Sequence, residues 1–120
     1  MVASHAAVAQ CDIWWAEFGT PVGSAPGYDR PVVVVQSNII NATRLKTYLC
    51  VPMTGNLKHA QAPWNLLLTA EATGLPRDSL AQANQLMTLD ETQLTERIGR
   101  IGSGDLNKLF GRLDVALDRA

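Results

Sequence analysis

The chain has 120 residues, of which 47% are hydrophobic and 18% are charged, and its formal net charge at pH 7 is −1. This length is typical of one globular domain, and the composition excludes a disordered chain. The near-neutral charge disfavours a protein held on nucleic acid by overall charge, although a local basic groove can still bind a short nucleic acid. No apolar run approaches the roughly 18 residues of a membrane span, and residues 1–10 lack the pattern of a secretory leader. We therefore expect a cytoplasmic protein.

The hydrophobic pattern predicts a small, mostly β domain over residues 11–120, preceded by a flexible tail at residues 1–10. Apolar or alternating segments predict strands at residues 11–18, 31–37, 44–53, 64–70, 79–89 and 94–101. The segment 79–89 also contains residues that permit a helix, but its alternation favours a strand. Single helical turns are expected near residues 38–42 and within 71–78.

The last part of the chain predicts one helix that packs on the sheet. Ser103 can cap this helix, and Asp105 falls in the first turn, where the helix dipole favours an acidic side chain. Apolar side chains then recur at helical spacing and form one stripe, made of Leu106, Leu109, Phe110, Leu113 and Leu117.

A long loop and a strand meet in the middle of the first half of the chain. Residues 19–29 contain two prolines and three glycines without periodicity, and a loop of this length more often signals function. The β-branched run Val32–Val35 is typical of a buried strand. Arg30 lies at the junction, so a permanently charged side chain sits where a mobile loop enters a rigid core. Small sites are commonly built at such junctions.

The sequence contains no GxxxxGK phosphate loop, no GxSxG elbow, no HExxH and no CxxC, and therefore gives no sign of a metal or cofactor site. Cys11 and Cys50 both fall in predicted strands and are interpreted as buried, reduced thiols. His5 in the tail and His59 in a loop are interpreted as solvated side chains. Trp14 and Trp15 point to opposite faces of a strand, so one belongs to the core and the other faces a partner, a loop or a ligand.

A set of polar residues remains as the candidate chemistry: Ser24, Arg30, Thr54, Ser79, Asn84 and Gln85. Such a set suits cleavage of RNA, because the nucleophile is then the 2′-hydroxyl of the substrate itself and the enzyme supplies positioning, a proton path and a cation. Arg30 can supply the cation, since its fork matches two phosphate oxygens, and Thr54 can bind the phosphate or relay a proton. Alternatively, Arg30 is a surface residue that pairs with Asp29 or Asp12.

Several blocks, taken in their order and spacing, resemble the MazF/PemK family of toxin endoribonucleases. The resemblance extends over about residues 11–118, and the joint match is specific although each block alone is weak. The blocks are Cys11–Trp15, Gly23–Val35, Val51–Thr54, Leu75–Ser79, Asn84–Asp90 and Leu94–Gly99.

The resemblance implies a mainly β (α+β) fold, an SH3-like small β-barrel with a C-terminal helix, as in MazF, PemK and CcdB. Members of the family cut single-stranded RNA at short sequences without a metal and leave 2′,3′-cyclic phosphate and 5′-hydroxyl ends. They act as homodimers that a MazE-like antitoxin neutralises, and they bind DNA together with it. Because a relative in this superfamily poisons DNA gyrase, a non-catalytic protein-binding toxin or a degenerate antitoxin-binding module is the alternative.

The resemblance also implies which residues form the site. Arg30 and Thr54 match the catalytic arginine and threonine. The implied RNA-binding residues are Ser24, Gly27, Tyr28, Asn56, Ser79, Asn84 and Gln85. Many members carry a glutamate where this chain has Ala25, so that carboxylate is absent here. Trp15 or Tyr28 can stack on a base, and an exposed Leu57 or Trp64 on a groove rim would suit binding of an antitoxin.

Overall fold

The structure is a computed structural model that describes residues 7–25 and 27–119. Within these residues, strands and helices follow one another in the order β1 (Asp12–Glu17), β2 (Asp29–Val34), α1 (Asn38–Asn41), β3 (Thr47–Thr54), β4 (Asn65–Leu68), α2 (Ala70–Thr73), β5 (Ser79–Gln82), β6 (Met87–Asp90), β7 (Leu94–Arg100) and α3 (Ser103–Ala116). Single 3₁₀ turns occupy Ala83–Gln85 and Glu91–Gln93. The helical turns predicted near residues 38–42 and within 71–78 are confirmed.

The strands form one antiparallel sheet in the order β4-β5-β3-β2-β1-β7, and β6 pairs with β3 next to β5. The predicted mainly β fold with a C-terminal helix is confirmed. Among the described residues the pairing runs from β4 to β7 and does not close into a complete barrel.

The valine run of β2 is buried on both faces of the sheet. Val32 and Val34 pack in one apolar cluster with Trp14, whereas Val33 and Val35 pack in a second cluster with Ile13. Because successive side chains of a strand point to opposite faces, a segment covered on both sides is apolar at every position. The interpretation as a buried strand is confirmed for Val32–Val34, and Val35 is buried directly after the strand.

The helix α3 covers the face of the sheet that carries Ile13. Three of its leucines are buried in the same cluster, namely Leu106, Leu109 and Leu113. Phe110 and Leu117 remain 36% and 58% exposed, so the buried stripe is narrower than predicted. The predicted cap is wrong by one residue, because Gly102 occupies the N-cap without a side-chain bond and Ser103 is the first helical residue.

The segment predicted as one strand at residues 79–89 is two strands, and this prediction is wrong. Both strands lie along the same edge of β3, but they are out of register with each other. Three steps along β3, from Met53 to Cys50, correspond to six residues of the partner, from Ala81 to Met87. The 3₁₀ turn at Ala83–Gln85 accommodates the three additional residues, and alternation alone does not reveal such a turn.

Residues 8–10 differ from the predicted loose tail. Val8 is buried in the cluster of Trp14. The backbone N–H of Ala9 donates to Asp12 Oδ2 over 2.9 Å, and Gln10 Nε2 donates to the carbonyl of Val35 over 2.9 Å. Residues 1–6 of the predicted tail, with His5, lie outside the described residues, as does Pro26 of the long loop.

The predictions for the cysteines and tryptophans agree with the structure. Cys11 and Cys50 are buried and free, although Cys11 precedes β1 rather than lying in it. Burial raises the pKa of the Cys50 thiol to about 12, so this thiol stays protonated at neutral pH. Trp14 is 2% exposed and Trp15 is 37% exposed, which places the two rings on opposite faces.

Candidate active site

The register of β2 and β3 brings Arg30 and Thr54 to the same place. The antiparallel pairs of these strands extend to Val32 opposite Pro52. Continued for two more residues, the same register puts Arg30, at the beginning of β2, opposite Thr54, at the end of β3. Directly opposed residues have their side chains on the same face of a sheet. Two residues that are 24 positions apart in the chain therefore become neighbours at one end of the sheet.

Arg30 is half-buried, and its guanidinium group is held by an amide. Arg30 Nη1 donates a hydrogen bond to Gln82 Oε1 over 3.2 Å. Gln82 lies on β5 two residues after Leu80, the pairing partner of Thr54, so it belongs to the same face. A neutral acceptor orients the guanidinium and leaves its positive charge uncompensated.

The interpretation of Arg30 as the partner of a nearby carboxylate is wrong. Among the described residues Arg30 forms no salt bridge with Asp29 or with Asp12. The buried Asp12 instead pairs with Arg97, with 3.2 Å between Oδ1 and Nε. The positive charge of Arg30 thus remains available to a ligand.

Thr54 is oriented by the turn that follows it. Its Oγ1 accepts a hydrogen bond from the backbone N–H of Asn56 over 3.2 Å. Asn56 Oδ1 in turn accepts from the N–H of Lys58 over 3.0 Å, which stabilises the turn. With its oxygen engaged in this way, the hydroxyl can still donate its own hydrogen to an acceptor.

Arg30 and Thr54 line two neighbouring cavities. The larger one has a volume of about 310 Å³, and the rest of its wall is formed by Trp15, Asp29, Pro31, Met53, Gly55, Leu75, Pro76, Arg77 and Ser79. The smaller one has a volume of about 200 Å³, and its other wall residues are Asn56, His59, Asn65, Leu80 and Gln82. The cation and the hydroxyl group therefore lie at the border between two spaces that a ligand can enter.

Two of the predicted RNA-binding residues line these cavities. Ser79 lies in the wall of the larger one and is only 4% exposed, and Asn56 lies in the wall of the smaller one and is exposed. Tyr28 is 68% exposed and lines a third, more open cavity together with Asp29. Trp15, predicted as a possible stacking residue, forms part of the wall of the larger cavity, the one of about 310 Å³.

The structure does not bring the other predicted RNA-binding residues into the two cavities. Ser24 is exposed in the long loop, and Asn84 and Gln85 lie in the 3₁₀ turn between β5 and β6. Gly27 is buried and lies close to the ring of Pro21, which a Cβ atom at this position would overlap. This close approach explains why the motif has a glycine here.

Among the wall residues that sequence reasoning did not assign to the site are four with polar or basic side chains: Arg77, Gln82, His59 and Asn65. Gln82 was detectable from strand alternation, since it lies two residues after Leu80 in a predicted strand. Arg77 stands inside a block that carried the resemblance, but no pattern connects it with Thr54. His59 and Asn65 come together only because Asn65 Nδ2 donates to the His59 carbonyl over 3.0 Å. Such a contact across a loop leaves no periodic signal.

No group of three or more His, Cys, Asp or Glu side chains in residues 7–25 and 27–119 is arranged to hold a metal ion. No described helix has the length and apolar character needed to cross a membrane.

The fold and the site together define a small β domain with a cationic, hydroxyl-bearing cleft suited to an anionic ligand. The family of PemK-like, MazF-like toxins of type II toxin–antitoxin systems matches residues 9–117. The endoribonuclease MazF6 of Mycobacterium tuberculosis is 38% identical over 111 residues, which cover 92% of this chain and 97% of that protein.

Solved structures agree in fold. MazF of Deinococcus radiodurans superposes with a TM-score of 0.78 at 19% identity and covers 93% of this chain and 97% of its own. A mycobacterial endoribonuclease in complex with its cognate antitoxin gives a TM-score of 0.72 at 18% identity, with 96% and 97% covered. The chain therefore belongs to the family of PemK-like, MazF-like toxins. The predicted enzyme class, an endoribonuclease, is confirmed by the curated relatives.

The close approach of Gly27 to Pro21 predicts that Gly27→Ala destabilises the fold. The added methyl group has to displace the proline ring, and overpacking of this kind costs about 1–3 kcal/mol in the free energy of unfolding. Gly111→Ala is the matched control, because this exposed position in α3 has open space around it and gains helix propensity of up to about 1 kcal/mol. Urea unfolding of both variants measures the difference. Equal stability of Gly27→Ala and the wild type would contradict the structural role of Gly27.

Proposed function

We propose that this chain is the toxin of a type II toxin–antitoxin system and acts as a metal-independent, sequence-specific endoribonuclease on single-stranded RNA. The observation that carries the proposal is the placement of Arg30 and Thr54 on the same face at one end of the sheet, where both line two cavities. Family membership supports the RNA substrate, because the curated relatives are named endoribonucleases.

The proposed reaction is an attack of the RNA on itself. The 2′-oxygen forms a bond to the adjacent phosphorus, and the bond from phosphorus to the 5′-oxygen breaks. The products are a 2′,3′-cyclic phosphate and a 5′-hydroxyl, so the proton lost by the 2′-hydroxyl is balanced by the proton gained by the leaving 5′-oxygen. Negative charge develops on the other phosphate oxygens in the transition state, and a positioned cation and donor lower its free energy.

In this reaction Arg30 binds the oxygens that become more negative. Its guanidinium has several N–H donors, of which one is occupied by Gln82, so the others can reach the phosphate. The Gln82 bond reduces the freedom that Arg30 loses on binding RNA, which is how preorganisation contributes to catalysis. Thr54, held by Asn56, donates its hydroxyl hydrogen to the same phosphate or relays a proton.

The remaining RNA-binding assignments concern recognition of sequence. Bases of single-stranded RNA are recognised by stacking and by hydrogen bonds to their edges. We propose that Trp15 and Asn56 serve the nucleotides nearest the reacting phosphate, since each lines a cavity that contains Arg30 and Thr54. Ser24, Gly27, Tyr28, Ser79, Asn84 and Gln85 remain proposed RNA-binding residues, with Ser24 and Tyr28 reaching RNA further from the reaction centre and Gly27 acting through the loop shape.

Removal of Arg30 or Thr54 should abolish most of the cleavage. We expect Arg30→Ala to reduce kcat about 100-fold or more, because loss of one positioned donor at a developing anion has an effect of this size. Thr54→Ala should reduce it by a smaller factor of about 10, and Thr54→Ser should retain more activity because it keeps the hydroxyl. Sequencing of 5′ ends after digestion of mixed RNA in a chelator reports both rate and cleavage sequence.

Matched controls separate chemistry from folding and charge. Arg44→Ala removes an equal charge from an exposed segment outside both cavities, and Thr88→Ala removes an exposed threonine from β6. Wild-type rates for Arg30→Ala and Thr54→Ala would contradict the assignment. Absence of cleavage of any RNA, with toxicity unchanged in Arg30→Ala, would instead favour the protein-binding toxin. Antitoxin binding without growth arrest would favour the degenerate module.

We also propose that the chain forms homodimers and binds a MazE-like antitoxin. Several solved relatives are complexes of MazE with MazF, which supports an antitoxin partner. Leu57, Trp64 and Leu67 are 42%, 40% and 46% exposed, and exposed apolar side chains of this kind can be covered by a partner chain.

The dimer is tested by sedimentation at micromolar concentration. We expect a mass close to twice the 13.0 kDa of the chain. A sedimenting mass of a single chain over this concentration range would contradict the proposal.

A further inference from the structure

Arg77 lies against the backbone of the site, although it is distant from Thr54 in the chain. A Cβ atom placed on Gly55 would be 2.7 Å from Arg77 Nε and 2.9 Å from Arg77 Nη2. The guanidinium of Arg77 therefore packs on Gly55, directly beside Thr54, in a space that only a glycine leaves open. Arg77 and Arg30 line the same cavity of about 310 Å³.

The two guanidinium groups of this cavity are not paired directly with carboxylates, because among the described residues Arg30 and Arg77 take part in no salt bridge. Asp78, the immediate neighbour of Arg77, uses its Oδ1 to accept from the backbone N–H of Ala70 over 2.8 Å. Asp29 is the one acidic residue in the wall of this cavity. Two guanidinium groups and one carboxylate leave the wall of this cavity with a net positive charge, which attracts an anionic ligand such as a nucleic-acid backbone.

The segment that carries Arg77 is held on both sides. Before it, the N–H of Leu75 donates to Thr73 Oγ1 over 3.0 Å. After it, Ser79 Oγ donates to the carbonyl of Arg77 over 3.4 Å, and Ser79 begins a strand paired with β4. The nearly buried Ser79, which was expected to contact RNA, thus also fixes the backbone from which Arg77 extends.

We propose that Arg77 forms a second phosphate site, which binds a backbone phosphate next to the one that reacts. The proposal rests on the proposed function, because it places the reacting phosphate at Arg30 and Thr54. These two residues line both cavities, whereas Arg77 lines only the larger one, so Arg77 lies to one side of the reaction centre. Trp15, Pro31 and Leu75 give that cavity an apolar wall suited to the sugar and base between the two phosphates.

A contact with a non-reacting phosphate affects binding rather than chemistry. With an oligonucleotide that contains the mapped cleavage site, Arg77→Ala should raise KM about 10-fold and leave kcat within a factor of two. The slope of log binding constant against log salt concentration should become shallower by about 0.7, the contribution of one phosphate contact on a single strand. Arg77→Lys should recover part of the affinity, since it keeps the charge without the fork. Arg44→Ala, with the same change in net charge, should behave as wild type.

Gly55 provides a second test of the geometry. Gly55→Ala should displace the guanidinium and weaken binding in the wild-type background. In the Arg77→Ala background the same substitution should have little further effect, because the group that it displaces is already absent. An equal loss in both backgrounds would show that Gly55→Ala acts through Thr54 instead.

The outcomes distinguish this proposal from the proposed function. Identical KM values for Arg77→Ala and Arg44→Ala would overturn the second phosphate site. A loss confined to kcat would also overturn it, because it would place Arg77 at the reacting phosphate. If the wild type cleaves no RNA, the endoribonuclease proposal fails. Binding of a non-cleavable 2′-deoxy oligonucleotide, measured by fluorescence anisotropy, then still tests the second site. Equal binding of this oligonucleotide by the wild type and by Arg77→Ala would overturn the second phosphate site.

Discussion

The pairing of β2 with β3 is the constraint on which the site depends. Its register sets the beginning of one strand beside the end of the other, and therefore sets Arg30 beside Thr54. A slip of one residue would turn one of these side chains to the opposite face. Gln36, which follows β2, opposes such a slip, because its side chain accepts from the backbone N–H of Leu49 over 3.2 Å and donates to the carbonyl of Thr47 over 2.9 Å, both in β3. These bonds help to fix the relative position of the two groups.

At this end of the sheet two arginines lie in one cavity wall without a salt bridge to any described residue. Arg30 is oriented by the amide of Gln82 rather than by a carboxylate, and Arg77 lies over Gly55 while its neighbour Asp78 bonds to α2. Elsewhere the chain does pair its charges, as in the contact of Arg97 with the buried Asp12. The cavity of about 310 Å³ has two arginines and one carboxylate, Asp29, in its wall, and this excess of positive charge favours an anionic ligand.

The sequence predicted those parts of the molecule that local patterns encode. The valine run, the leucines of α3 and the short helical turns follow from periodicity and composition. The family motifs point to Arg30 and Thr54, which line the same cavities in the structure. The break at Ala83–Gln85 was missed because a three-residue register shift along β3 leaves the alternation on either side intact. Arg77 was missed because its role depends on a contact between distant segments, which no local spacing announces. The face of Gln82 follows from strand alternation, but its bond to Arg30 depends on the fold.

The central claim is that the cleft at Arg30 and Thr54 cleaves RNA through the RNA's own 2′-hydroxyl. The most direct test uses an RNA oligonucleotide in which a single 2′-hydroxyl is replaced by hydrogen. The change is made at the nucleotide on the 5′ side of the mapped cleavage bond, and the rest of the RNA is unchanged. We predict that the oligonucleotide still binds but is not cut at that bond, since the nucleophile is absent. Cleavage at the same bond at the rate of the unmodified RNA would contradict the account, because it would require a different nucleophile.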